Sequence, residues 1–432
     1  MLDMKRQENG RQNLIFRSGK MEILTGPFVQ LLTLGNLPLR GPILDEQLVI
    51  IENAGILSTG GIISAIGNFV SLRTEFPEAT IDLIEGVHIA LPGFIDAHTH
   101  LVFSGTRAAD YSLRIAGRTY QQIAASGGGI WNSVSNTRKA SDDDLLRLLL
   151  QRLEVQNTGG ITTTEIKTGY GLTVAQELRM LKVIEKGKSL AFQDIITTCL
   201  AAHIKPLDFL GNSDAYLTYL INELLPLIRF ESSCKRVDIF IEEGAFSSSE
   251  GRIYLQAASK LGFEFSVHAD QFTCGGSRLA VELQARSADH LEASSQVEID
   301  LLGRSKTAAI VLPGASMGLG MEYAQARSLL DAGASLVIAS DHNPGSAPMG
   351  NLLMQASVLG AAEKLTAAET FAALTFRAGA ALGLIDRGRI EKGCLADFQA
   401  YSINDYREIL YNQGMLKPVI LWKRGVRKQL HL

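Results

Sequence analysis

Eight short β-rich runs constrain what this chain can fold into more than any other feature. They are Gly93–His98, Gly160–Lys167, Ile195–His203, Arg236–Glu242, Phe263–His268, Ser287–His290, Ala308–Leu312 and Ser335–Asp341. Stretches with helical spacing lie between them: Asp142–Gln156 (capped by Ser141), Val174–Lys186, Asp214–Arg229, Ser249–Leu261, Ser277–Leu283 and Glu322–Ala332. Strands alternating with helices build parallel sheets, because the crossover between two parallel strands is a helix that covers one face of the sheet. Eight such strands are the number that closes into a (β/α)8 TIM-like barrel. A chain of 432 residues is also long enough to carry something beside one core.

The remaining material sits at the two ends. Residues 1–20 mix five basic with two acidic side chains and lack the apolar centre of a secretory signal, so they read as a loosely ordered extension. Phe28–Leu34, Leu48–Glu52, Gly61–Ile66 and Thr80–Leu91 read as strands, separated by turn formers such as Gly35-Asn36 and Thr59-Gly60-Gly61. Glu391–Tyr401 returns to strand character. The expected organisation is therefore α/β: the barrel over residues 91–387, and a small β-sandwich domain formed from both chain ends, residues 21–90 and 388–432.

Composition excludes several partners. With 20% charged residues and a net charge of −4, the chain offers no global attraction for nucleic acid or an anionic membrane. Runs such as Leu48–Ile51 and Ala308–Leu312 fall far short of the roughly 20 residues of a membrane span. Cys199, Cys234, Cys274 and Cys394 are widely spaced, which fits a reducing cytoplasm better than a disulfide framework.

Chemistry concentrates at the ends of the barrel strands. His98 and His100 stand two positions apart after an apolar run, where alternate residues share a face and two imidazoles can meet one cation. His203, His268 and His290 close the third, fifth and sixth runs, and Asp341 closes the eighth. In a barrel, these ends ring one face. Histidines with a carboxylate and no thiolate suit zinc or iron, and such an ion brings the pKa of bound water to about 7. Asp341 is then placed to take the water's proton and deliver it to a leaving nitrogen. His88 and His431 read as ordinary polar residues, and His342 fits either reading. Lys167 offers a candidate substrate contact, though an exposed strand-end lysine is the more ordinary reading, and Gly127-Gly128-Gly129 reads as a loop rather than a phosphate cradle.

The segment Pro92–His100 with His268, His290 and Asp341 resembles the amidohydrolase superfamily. The segments His98–Arg107, Ala125–Ile130, Glu165–Gly171, His268–Gln271 and Asp341–Ser346 more closely resemble the imidazolonepropionases of histidine degradation, over residues 45 to 400. That resemblance implies hydrolytic opening of 4-imidazolone-5-propanoate to N-formimidoyl-L-glutamate. It further implies one Zn2+ or Fe3+ per chain on His98, His100, His268 and Asp341. Substrate contacts would come from Arg107, Tyr170, His203, Gln271, Asn343, Gly345 and Ser346, with Asp341, His290 and Gln271 in catalytic roles. A homodimer is expected by analogy. Arg107 suits the propanoate because a guanidinium pairs bidentately with a carboxylate.

Two positions depart from the family pattern. Gln271 stands where some members carry glutamate; a neutral amide orients partners but moves no proton, which argues against a ring deaminase. His342 replaces an aromatic apolar residue. Related two-metal enzymes use a lysine on the fourth strand, which here ends Ile241-Glu242-Glu243, so one ion is expected unless Glu242 recruits a second. The competing readings are another ring hydrolase, a heterocycle deaminase, or a non-catalytic scaffold.

Overall fold

The computed structural model describes residues 21–119, 122–123 and 127–430. The expected N-terminal extension, and Ala125 and Ser126 of the family-like segments, lie outside these. Two sheets of eight strands organise the chain. The N-terminal part supplies β1 (Glu22–Leu32), β2 (Ile50–Thr59), β3 (Ile62–Asn68), β4 (Thr80–Leu83) and β5 (Ile89–Pro92). The barrel follows as β6 (Phe94–Asp96), β7 (Ile161–Lys167), β8 (Asp194–Ala202), β9 (Arg236–Ile241), β10 (Glu264–Ala269), β11 (Ser287–His290), β12 (Ala308–Val311) and β13 (Leu336–Ile338). β14 (Phe398–Tyr401), β15 (Ile420–Lys423) and β16 (Val426–Gln429) rejoin the first sheet.

In that first sheet the order is β16-β15-β14-β5-β1-β2-β3, with β4 beside β1. Antiparallel pairing of β14 with β5 unites the two ends of the chain, and Phe28, Phe398 and Trp422 pack over the join with ring centroids 4.5 to 6.3 Å apart. The expected single strand Thr80–Leu91 is two: β4 pairs with Ile23–Gly26 and β5 with Gln30–Leu31, separated where β1 bulges against β2. The bulge kinks β1, and one straight strand cannot follow a kinked neighbour.

β5 passes into β6 across Gly93 alone. A Cβ on Gly93 would lie 2.3 Å from the Thr162 side chain, so the two sheets approach too closely there for any other residue. The barrel strands run parallel in the order β6 to β13. Helices cover them, including Asp142–Thr158, where the Ser141 side chain accepts from the Asp144 N–H as a cap should. The expected helix Asp214–Arg229 carries a π-turn at Leu220–Leu224, just before Pro226, whose missing N–H removes one helical hydrogen bond. In place of Glu322–Ala332 the structure has Pro313–Leu319 and a shorter Ala326–Asp331. All four cysteines are free, and no helix among the described residues is long and apolar enough to cross a membrane.

Candidate active site

The seam that closes the barrel brings the expected ligands together. Regular pairing in β6 stops at Asp96 and in β13 at Ile338, shorter than expected, yet the backbone continues to pair beyond both ends. The Asp341 N–H donates to the His98 carbonyl at 3.0 Å, and the His100 N–H donates to the His342 carbonyl at 2.9 Å. On the other side, Lys167 N–H donates to the Thr99 carbonyl at 2.8 Å, so this three-residue stretch is gripped from both flanks. Alternation then turns His98 and His100 to one side, facing Asp341. Asp341 (φ 49°) and His290 (φ 93°) adopt left-handed backbone conformations that non-glycine residues rarely occupy; such strain clusters at functional sites.

The donor atoms form a tight cluster. His98 Nε2 lies 3.2 Å from His100 Nε2, and His100 Nε2 lies 3.4 Å from His268 Nε2. Asp341 Oδ1 lies 3.6 Å from His98 Nε2 and 3.4 Å from His100 Nε2. Ligands about 2.0–2.1 Å from a tetrahedral ion are separated by about 3.3–3.4 Å, so the spacings among His98, His100 and Asp341 fit a cation, with His268 beside His100. The donor chemistry fits as well. His98 Nδ1 donates to Asp289 Oδ2 at 2.7 Å, which leaves a lone pair on Nε2, pointing into the cluster. His268 Nδ1 sits 3.1 Å from Asp238 Oδ2. Lone pairs and a carboxylate oxygen crowded this closely repel one another unless a cation lies between them.

His290 joins the edge of this cluster. Its donor atom, with those of His98 and His268, falls in a group spanning less than 4.8 Å, while its Nδ1 lies 3.5 Å from Glu292 Oε2. Burial opposes a charge on His290, but Glu292 outweighs it and raises the pKa. His203 donates from Nδ1 to the Gly169 carbonyl at 3.0 Å and stacks on His100 at 5.7 Å. Burial holds its pKa well below the ordinary value, so a neutral ring faces the site.

A cavity opens over these groups. It is lined by His100, Arg107, Tyr170, His203, His268, Gln271, His290, Asp341, Asn343 and Ser346, together with Ile130, Phe240 and Leu319, which the strand-end logic missed. Arg107 donates from Nε to Asp110 Oδ2 at 2.8 Å, and that same oxygen accepts from the Gly129 N–H at 2.8 Å. The triple-glycine loop is thus tied to the arginine. Gly345 lies directly under the guanidinium: a Cβ there would sit 2.0 Å from Nη1.

Glu177 holds the loop of Tyr170, its carboxylate accepting from the Gly171 and Leu172 N–H groups at 2.8 Å and from Gly169 at 3.3 Å. Asn343 Oδ1 accepts from the Gly345 and Ser346 N–H groups at 2.7 and 2.9 Å, and Ser346 Oγ donates to Asp341 Oδ2 at 3.1 Å. This loop therefore both lines the cavity and orients the carboxylate.

One sequence reading changes and two open ones close. Lys167 is not exposed: it is 1% accessible, with Nζ 2.7 Å from Asp238 Oδ2 and 2.9 Å from Glu165 Oε1. Glu242 does not face the donor cluster; its carboxylate caps the Phe272 and Thr273 N–H groups at 2.8 and 3.1 Å. His342 points away from the ligands, packed over Gly350 and 6.5 Å from the Phe103 ring; burial with Arg152 nearby lowers its pKa to about 4, so it packs as a neutral aromatic ring. Asp238, Asp289 and Glu292 escaped notice because they are not at expected ligand positions. For Asp238 and Asp289 the signal was a charge inside a strand run, which burial tolerates only in pairs; Glu292, past the end of its strand, carried none.

A parallel eight-stranded barrel with imidazoles and an aspartate converging at its strand ends defines a metal-dependent hydrolase of the amidohydrolase class. Consistent with this, the model of the amidohydrolase family matches residues 239–410, the part carrying His268, His290 and Asp341. The imidazolonepropionase of Caldanaerobacter subterraneus is 39% identical over 384 residues, covering 88% of this chain and 91% of that one. That of Deinococcus deserti is 38% identical, covering 88% and 94%. The chain belongs to the imidazolonepropionase family. Among solved structures, the atrazine chlorohydrolase of Arthrobacter aurescens complexed with zinc superposes with a TM-score of 0.69 at 17% identity, covering 94% of both chains. The guanine deaminase of C. acetobutylicum gives 0.69 at 13% identity, covering 94% and 99%. At such identities the likeness is one of fold.

Proposed function

We propose that this chain hydrolyses the cyclic amide of 4-imidazolone-5-propanoate to N-formimidoyl-L-glutamate in histidine breakdown. One observation carries the reading: in a chain of this family, a donor cluster of cation-binding geometry and a buried guanidinium open on the same cavity. His98, His100, His268 and Asp341 would hold one zinc or iron ion, a donor set of imidazoles and a carboxylate suiting either. Such an ion supplies Lewis acidity and lowers the pKa of water toward 7.

The chain's own groups account for the rest. Arg107, its Nε committed to Asp110, presents its Nη atoms to the propanoate carboxylate. Tyr170 and His203 stand against the ring, and Asn343 and Ser346 line the wall beside Asp341, with Gly345 leaving room for the guanidinium. The oxygen of water joins the ring carbonyl carbon, the bond from that carbon to the ring nitrogen breaks, and Asp341 carries the water's proton to the departing nitrogen. His290, backed by Glu292, stabilises the charge gathering on the carbonyl oxygen. Gln271 orients by hydrogen bonding alone.

Residues 91–387 form the catalytic unit in this reading, braced by 21–90 with 388–432. The small anionic substrate is the expected partner, nucleic acid and membranes have no part in the reaction, the setting is cytoplasmic, and the assembly is a homodimer as the family resemblance implies. Purified protein is expected to abolish the ultraviolet absorbance of imidazolone propanoate, release no ammonia, and lose activity to a chelator with recovery on adding zinc or iron. Ammonia release would instead favour a deaminase, and metal-loaded protein without turnover would overturn the assignment.

A further inference from the structure

Beneath the donor cluster lies a charge arrangement that the proposed reaction does not use. Lys167, at the end of β7, is 1% accessible, and its ammonium meets Asp238 at 2.7 Å, Glu165 at 2.9 Å and Asp289 at 3.6 Å. These three carboxylates come from three different strands of the barrel. A buried ammonium is costly unless its hydrogen bonds and charge are met, and here they are.

Two of its partners do double duty. Asp289 Oδ2, the oxygen nearest Lys167, accepts from His98 Nδ1 at 2.7 Å. Asp238 Oδ2, which binds Lys167, also lies 3.1 Å from His268 Nδ1 and accepts from Ser266 Oγ at 2.8 Å. One ammonium thus holds the two carboxylates that stand behind two of the four ligands.

We infer that Lys167 is a positioning residue for the metal: by drawing Asp238 and Asp289 to one point, it fixes the orientation of the His268 and His98 rings and so sets the affinity for the ion. Without it, three buried carboxylates lie close together with no cation among them, repel one another, and release the backs of both rings. Carboxylates behind metal-bound imidazoles influence affinity by about 10–100-fold, which is the size of effect to expect. A lysine serving packing alone would lower stability and leave affinity unchanged.

The inference rests on the metal reading above, and its test needs no substrate. Zinc affinity is measured by competition with a chromophoric chelator, and ligand geometry from the absorption spectrum of the cobalt(II)-loaded protein, for the native chain, Lys167→Met, Asp238→Asn and the double variant. Lys167→Met is expected to weaken zinc by about 10–100-fold and to alter the cobalt bands. The double variant should bind within about threefold of the weaker single, because both changes break one relay. Should Lys167→Met fail to fold, the charge-balanced double variant is compared with Asp238→Asn: a further loss, through release of Asp289 behind His98, supports the relay, and equal affinities overturn it. Native affinity in Lys167→Met, or additive losses, would also overturn it. A native chain that binds no zinc or cobalt would refute the metal reading itself.

Discussion

Replacing Arg107 by methionine separates recognition of the substrate's tail from chemistry at its ring. Arg107 is 7% accessible, and its Nε is held by Asp110 at 2.8 Å, so its orientation is settled before substrate arrives. That leaves the Nη groups to make two charge-assisted hydrogen bonds with a carboxylate, each worth about 1.5–3 kcal/mol. Losing one partner of a buried charged pair costs about 2–5 kcal/mol, so we take about 3–5 kcal/mol here. At 1.36 kcal/mol per decade, kcat/KM should fall by about 2.2 to 3.7 decades, roughly 150- to 5,000-fold.

The assay compares kcat/KM on imidazolone propanoate with that on its neutral methyl ester. Native protein should strongly prefer the acid; Arg107→Met should lose that preference while its rate on the ester changes little. Arg107→Lys should recover part of it, since charge returns without the planar fork. Gly345→Ala should imitate the loss, because its methyl group would lie 2.0 Å from Nη1 and push the guanidinium aside. Equal losses on acid and ester, with thermal stability unchanged, would refute the assignment of Arg107 to the tail.

The union of the two sheets should depend on Asp194, which pairs with Arg387 at 2.6 Å and Lys423 at 2.8 Å. Burial opposes its charge, but Lys423 and Arg387 prevail and hold its pKa at about 2. The gap from an ordinary carboxylate near 3.9 corresponds to about 2.5 kcal/mol by linkage. With the side chain 24% accessible, we discount this to about 1–2 kcal/mol for solvent screening. A depressed carboxylate stabilises above its unfolded value, so this contribution is whole above about pH 4 and disappears as pH falls through about 2. Asp194→Asn should remove it in denaturant titrations at pH 7, and an unchanged midpoint would contradict the role.

Glu177→Gln replaces one acceptor oxygen by a donor among three N–H groups of the Tyr170 loop. It should raise KM more than it lowers kcat and destabilise by about 1–3 kcal/mol, as read from steady-state kinetics and thermal melts.

Much of this architecture was legible in the chain because it rests on local physics. Ser141 announced the helix it caps, alternation of strand and helix announced a barrel, and the spacing of His98 and His100 placed both imidazoles on one side. The division of Thr80–Leu91 into β4 and β5 was not legible, since it depends on a bulge in β1, a strand distant in sequence. Nor was the true setting of Lys167. A lysine at a strand end looks the same in sequence whether it faces water or three carboxylates, and only parallel pairing of β7 through β11 brings Glu165, Asp238 and Asp289 around it.

Residue types and their periodicities therefore determined the chemistry available and the end of the barrel where it gathers. What tertiary structure decided was distance: the seam between β6 and β13 sets Asp341 against His98 and His100, and the buried ammonium sets the carboxylates behind the rings. Periodicity acts through neighbours a few bonds away, whereas charges hundreds of residues apart meet only when the barrel closes.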